Sequence, residues 1–117
     1  MVNPRTLFVR FVKRNSERGP AIWSKTIKAR KWNFVATTYD MRRKTAKLYV
    51  NNRFVKTRKI GGFKLATNYP ARMGARRGDK RYFKGAVSCL QIFKEALNSR
   101  KIFARKRRCF TSTFLLL

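Results

Sequence analysis

The chain has no histidine and only four acidic residues, Glu17, Asp40, Asp79 and Glu95. These two shortages remove most catalytic chemistry. Without histidine there is no histidine-based triad. Four acids scattered along the chain supply no carboxylate pair of the kind glycoside hydrolysis uses. Cys89 and Cys109 are the only cysteines and have no CxxC spacing; with no histidine available, they argue against a metal site. By themselves they leave two readings open: a disulfide in an oxidising compartment, or two reduced thiols in a reducing one. Gly61-Gly62 and Gly74 fit neither a GxGxxG nor a Walker loop, so no phosphate cradle is present. No enzyme activity and no cofactor are expected.

Long apolar runs are missing as well. No stretch approaches the roughly 20 residues that span a bilayer as a helix. Leu7-Phe8-Val9 is closed off by Arg10 and is too short for the core of a secretory signal. The tail Phe114-Leu115-Leu116-Leu117 is shorter still, and Cys109 lies too far from it for prenylation. There is no Asn-x-Ser/Thr sequon, no internal repeat and no linker. The 117 residues fit one domain. It is expected to occupy residues 1–109, with 110–117 an unstructured apolar tail.

What the chain does have is positive charge. Lys and Arg number 31 against the four acids, a net charge of +27. Hydrophobic residues make up 44% of the chain, enough for a core. Uncompensated charge on this scale repels itself in a compact state unless anions screen it, so a polyanionic partner is expected. The cations cluster at Lys25/Lys28/Arg30/Lys31, Arg42/Arg43/Lys44, Arg72/Arg76/Arg77, Lys80/Arg81/Lys84 and Arg105/Lys106/Arg107/Arg108. Any one cluster reads most simply as a solvated face; the total exceeds what solubility asks for. The polyanion-binding candidates are Arg42, Arg43, Arg76, Arg77, Lys80, Arg81, Arg105, Lys106, Arg107 and Arg108.

The local pattern is strand. Thr6 to Lys13 is rich in Phe and Val, and Ala21 to Ile27 is a short run entered through the turn signal Gly19-Pro20. Trp32 to Tyr39 is β-branched and aromatic throughout. Ala46, Leu48 and Val50 alternate with Lys47 and Tyr49, the period of a half-buried strand. Asn51-Asn52 tolerates positive φ and predicts a two-residue hairpin into Phe54-Val55, a return strand that Gly61-Gly62 ends. Further strands are expected at Ala71–Ala75 and Tyr82–Phe93. Only Asn98 to Arg105 reads as helix, capped by Asn98 or Ser99 with Ile102 and Phe103 facing inward. Leu7, Phe8, Phe11 and Val12 also share a helical face, which would suit a mitochondrial presequence; the strand reading is preferred on propensity.

The segment from Trp32 to Cys109 resembles the laminin G-like, or concanavalin A-like, jelly-roll family. The resemblance is carried in order by Trp32-Asn33-Phe34-Val35-Ala36-Thr37-Thr38-Tyr39-Asp40, Ala46-Lys47-Leu48-Tyr49-Val50-Asn51-Asn52 and Arg72-Met73-Gly74. Tyr82-Phe83-Lys84-Gly85-Ala86-Val87-Ser88-Cys89-Leu90-Gln91-Ile92-Phe93 and Glu95-Ala96-Leu97-Asn98-Ser99-Arg100-Lys101-Ile102 complete it. It implies an all-β antiparallel β-sandwich (jelly roll) with one short C-terminal helix. Trp32, Leu48, Phe83, Leu90 and Ile92 would share its core. It also implies a Cys89–Cys109 disulfide. Family domains are usually longer, so the chain is expected to begin partway through one, leaving an incomplete sandwich with an open edge or an exposed apolar face. Calcium-binding members use rim acids. Asp40 and Asp79 are nearly the only candidates here, and Asp40 reads better as a turn former ahead of Met41-Arg42-Arg43.

Two functions compete at this level. The resemblance implies a non-catalytic binding or adhesion module of a secreted or extracellular protein, taking carbohydrate (acidic or sulfated glycan included) or protein ligands. Charge alone supports the alternative, a small ribosomal-type nucleic-acid binder in the mitochondrion or nucleus, although no RRM-type motif is present.

Overall fold

The computed structural model describes residues 6–67, 78 and 85–110. Five strands precede one helix: β1 Leu7–Val12, β2 Arg18–Ser24, β3 Val35–Asp40, β4 Thr45–Val50, β5 Arg53–Lys59 and α1 Ser99–Phe110. β1 and β2 form a two-stranded antiparallel sheet, and β3-β4-β5, in that order, a three-stranded antiparallel one. The two sheets pack face to face. The result is an all-β sandwich; at the end of β1 Lys13 bridges Leu65, and the Val12 carbonyl accepts from Ala66 N at 2.9 Å.

β1 is a strand, as its propensities predict. Its burial alternates residue by residue: Leu7, Val9 and Phe11 are half-buried, while Phe8, Arg10 and Val12 are exposed. That period of two excludes the helical alternative. β2 starts earlier than expected, and Gly19-Pro20 lies inside it rather than in a turn before it. The register explains why. Arg10 pairs with Ala21 and Val12 with Arg18, so two residues of β2 oppose Phe11 alone. This is a bulge, one of the few places in a sheet where proline is tolerated. Gly19 fits because a Cβ there would lie 2.6 Å from the Phe11 carbonyl oxygen.

β4 is the centre of the larger sheet. Ala46, Leu48 and Val50 are buried, as their alternation predicts. Leu48 and Val50 join Ile22 and Ile27 in the core, with Leu7, Val9, Val35 and Val55 packed around them. Tyr49 on the opposite face is also buried, because Phe54 and Phe103 meet its ring edge-on at 5.5 and 6.4 Å. β4 is thus covered on both faces, the second by α1. At the β4–β5 hairpin Asn51 and Asn52 have φ of 49° and 67°, the left-handed pair a primed turn requires.

Three expectations fail. β3 begins at Val35, and Trp32 is 43% exposed instead of plugging the core. Its neighbour Asn33 takes the interior position. The Asn33 amide donates to the Lys28 and Lys31 carbonyls at 2.9 and 2.8 Å and accepts from Lys28 N and Asn51 Nδ2, both at 3.1 Å. A buried amide with every bond made fixes the 28–33 loop and turns Trp32 outward. Secondly, no strand forms over 85–93. Cys89 sits at φ 59°, which breaks an extended run. Leu90 and Ile92, expected in the core, are 56% and 76% exposed. Thirdly, of the five residues expected to share a core, only Leu48 does so in the described structure. Phe83 lies outside the described residues, as do Tyr82, the Ala71–Ala75 segment and the 111–117 tail.

The helix is present and longer than expected, reaching Phe110. Asn98 caps it, its Oδ1 accepting from Lys101 N at 3.0 Å. Ile102 is buried, as its inward assignment requires. The Cys89–Cys109 disulfide fastens the helix to the preceding segment across a Cα–Cα distance of 5.6 Å.

Candidate functional site

Three surfaces carry the chemistry. The first lies on the outer face of β1–β2. Phe8 and Trp23 are directly paired across the strands and are 50% and 45% exposed. Arg10 places its guanidinium 5.2 Å from the Phe8 ring centre. Lys56 reaches over from β5 to put its ammonium 4.2 Å from the Trp23 ring centre. The quadrupole of each ring holds its cation in place. Each ring thus carries a cation over one face while about half of its residue surface stays exposed.

The second surface is α1 with the turns at the ends of the sheet. Arg105 lies over Phe93 at 4.8 Å and Lys106 over Phe34 at 6.0 Å. Arg107 and Arg108 are exposed in the last helical turn, where cations complement the helix dipole. Arg42 and Arg43 sit at the β3–β4 turn, where their backbone N–H groups donate to Asp40 Oδ1 at 3.0 and 3.1 Å. Asp40 is therefore a turn former. Because Lys106 meets Phe34, just before β3 begins, and Arg42 and Arg43 follow its end, the helix cluster and the turn cluster stand at opposite ends of the sheet. Arg76, Arg77, Lys80 and Arg81 lie outside the described residues.

The third is a groove of about 790 Å³ running along β3. Phe11, Leu65, Leu90, Ile92 and Phe93 line it, together with Ile102 and Cys109 of α1. Its lining is mainly apolar, with Lys94, Arg105 and Lys106 among the few charges.

The acids do little to offset any of this. Glu17 pairs with Lys13 at 3.5 Å, Asp40 with Arg43 at 3.9 Å and Glu95 with Lys101 at 3.7 Å, all on the surface. Among the described residues no three His, Cys, Asp or Glu gather as a metal site. None of the described helices is long and apolar enough to cross a membrane.

A family model described as the concanavalin A-like lectin/glucanases superfamily matches residues 2–103. The chain belongs to this superfamily. The match begins well before Trp32, so β1 and β2 are part of the family domain, although no motif in them carries the resemblance. Comparison with curated proteins and with solved structures gives no match. Membership in the concanavalin A-like superfamily supports a module that binds carbohydrate or protein in general.

Runs of consecutive cations do not point to Phe8, Arg10, Trp23 and Lys56, which no sequence motif marks. A partial signal existed: the period of two in β1 puts Phe8 beside Arg10 on the face opposite Leu7 and Val9.

Proposed function

We propose that this chain is a non-catalytic binding module of an extracellular protein, and that its ligand is an acidic or sulfated glycan. The Phe8–Trp23 pair with its two positioned cations carries the reading. A pyranose ring offers a face of C–H groups that stacks on an aromatic ring, while its sulfate or carboxylate groups pair with cations alongside. Arg10 and Lys56 stand where such groups would fall, and guanidinium is the better partner for a planar or tetrahedral oxyanion. Arg42, Arg43, Arg105, Lys106, Arg107 and Arg108, with Arg76, Arg77, Lys80 and Arg81, would add long-range attraction rather than specificity. The disulfide and the family support an extracellular setting.

Titration with a heparin-derived hexasaccharide at several salt concentrations tests this. Trp23→Ala should weaken binding and leave the salt slope alone, whereas Lys56→Gln should flatten that slope by about one counterion. Unchanged affinity in Trp23→Ala would sink the stacking site. Tighter, Trp23-dependent binding of single-stranded RNA would transfer the site to nucleic acid, where exposed aromatics also serve as stacking platforms.

A further inference from the structure

Among the described residues, Ser16, Arg30, Lys44, Asn51, Asn52 and Cys89 have a left-handed backbone without being glycine. The first five lie in turns or bends between strands, where the chain must reverse. Cys89 stands apart from them, in the irregular 87–93 stretch and outside any turn. A Cβ makes this conformation unfavourable, and such outliers collect at sites that use the strain. Two contacts bear on Cys89. One is its bond to Cys109 in α1. The other is Gln91, whose amide Nε2 donates to both sulfurs, at 3.2 Å to Cys89 and 3.3 Å to Cys109. The two cysteines are unequally reachable. Cys109 is buried, while Cys89 is half-buried beside exposed Leu90 and Gln91.

We propose that this disulfide is a site of thiol–disulfide exchange, opened by attack of an external thiolate on Cys89 Sγ, and that its reduction frees α1 from its covalent tether. The reagent is a small thiol or a protein dithiol. Its thiolate forms a new S–S bond to Cys89 Sγ as the Cys89–Cys109 bond breaks, and Cys109 Sγ leaves with the electron pair. A second external thiolate then attacks the first, and Cys89 leaves as a thiolate while the two reagent sulfurs depart as a disulfide. Two electrons pass to the protein, and the two protons of the reagent thiols reach its sulfurs through water. Burial shields Cys109 Sγ, so the attack falls on Cys89. The Gln91 amide stands at hydrogen-bond distance from the sulfur that takes the charge. Arg105, one helical turn before Cys109 and lining the same groove, adds positive charge. Opening the bridge lets the Cys89 backbone leave the left-handed region, so the strain there favours the reduced form. α1 then depends on noncovalent packing, with Ile102 buried and Phe103 against the Tyr49 ring. The site is separate from the Phe8–Trp23 face and does not depend on glycan binding there.

The test is reduction of the folded full chain by glutathione at increasing concentration, with free thiols trapped by iodoacetamide and located by peptide mapping. The rate should rise in proportion to glutathione and stay constant in low urea. The first trapped species should carry glutathione on Cys89 and the alkyl group on Cys109, exceeding the reverse pattern at least about tenfold, because the attacked sulfur is chosen by access. Gln91→Leu should slow reduction about tenfold, the loss of one charge-assisted hydrogen bond, with the circular dichroism unchanged. On full reduction amide exchange should accelerate in α1 and not in β3, β4 or β5. A rate that saturates with glutathione and climbs with urea would overturn the proposal, since the bridge would then open only through unfolding. Glutathione found mainly on Cys109, an unchanged rate in Gln91→Leu, or an α1 whose protection survives reduction would each overturn it as well.

Discussion

Residues 7–59 and residues 85–110 are held together by different physics. The first region closes by strand pairing and a shared apolar core, with Ile22, Leu48 and Val50 almost without solvent contact. The second has no strand of its own. It is held by one disulfide, one helix cap, the burial of Ile102, and rings meeting cations or other rings at 4.8 to 6.4 Å. Where a core is built, apolar area supplies the stabilisation. Where the core runs out, a covalent link and local contacts take over, as they do in small secreted domains.

Breaking each region in turn should expose the difference. Leu48→Ala leaves a cavity at the centre of the sandwich and should cost about 2–5 kcal/mol. Denaturant unfolding should show a lowered midpoint for both regions together, because the helix rests on β4. Replacing both cysteines, Cys89→Ser with Cys109→Ser, should cost roughly 3 kcal/mol for a loop of about 20 residues, below the upper end of that range. Its effect should be local: amide exchange should accelerate through α1 while β3, β4 and β5 keep their protection. Uniform acceleration in both regions would show that they unfold as one unit and that the contrast is wrong. The smallest effect belongs to the hairpin. Asn52→Gly relieves a left-handed asparagine and should raise stability by a few tenths of a kcal/mol, measurable as a higher denaturation midpoint with an unchanged slope.

The same divide governs what could be read from the sequence. Period-two burial, the Asn51-Asn52 turn and the Asn98 cap are set by neighbours in the chain, and each is found where its residues predict. Trp32 is not, because its position follows from Asn33 finding four partners, two of them in Lys28 and one in Asn51. No window around Trp32 contains that information. The Gly19-Pro20 signal was real but took the form of a bulge, which only the opposing Phe11 reveals. The 85–93 segment has strand composition and no strand, since Cys89 turns to φ 59° within it. Of the candidate site, the long cation runs were legible. The Phe8–Trp23 pair was not, because it depends on a cross-strand register.

The bond between Cys89 and Cys109 also makes the intervening chain a closed ring of backbone. A protease that cuts once inside it, at exposed Lys94 for example, opens the ring without releasing either piece. The nicked molecule travels as one species until a reductant is added, and only then parts from its helix. The most exposed stretch beside the groove can therefore be cleaved while the helix, with its Arg107 and Arg108, remains attached to the body.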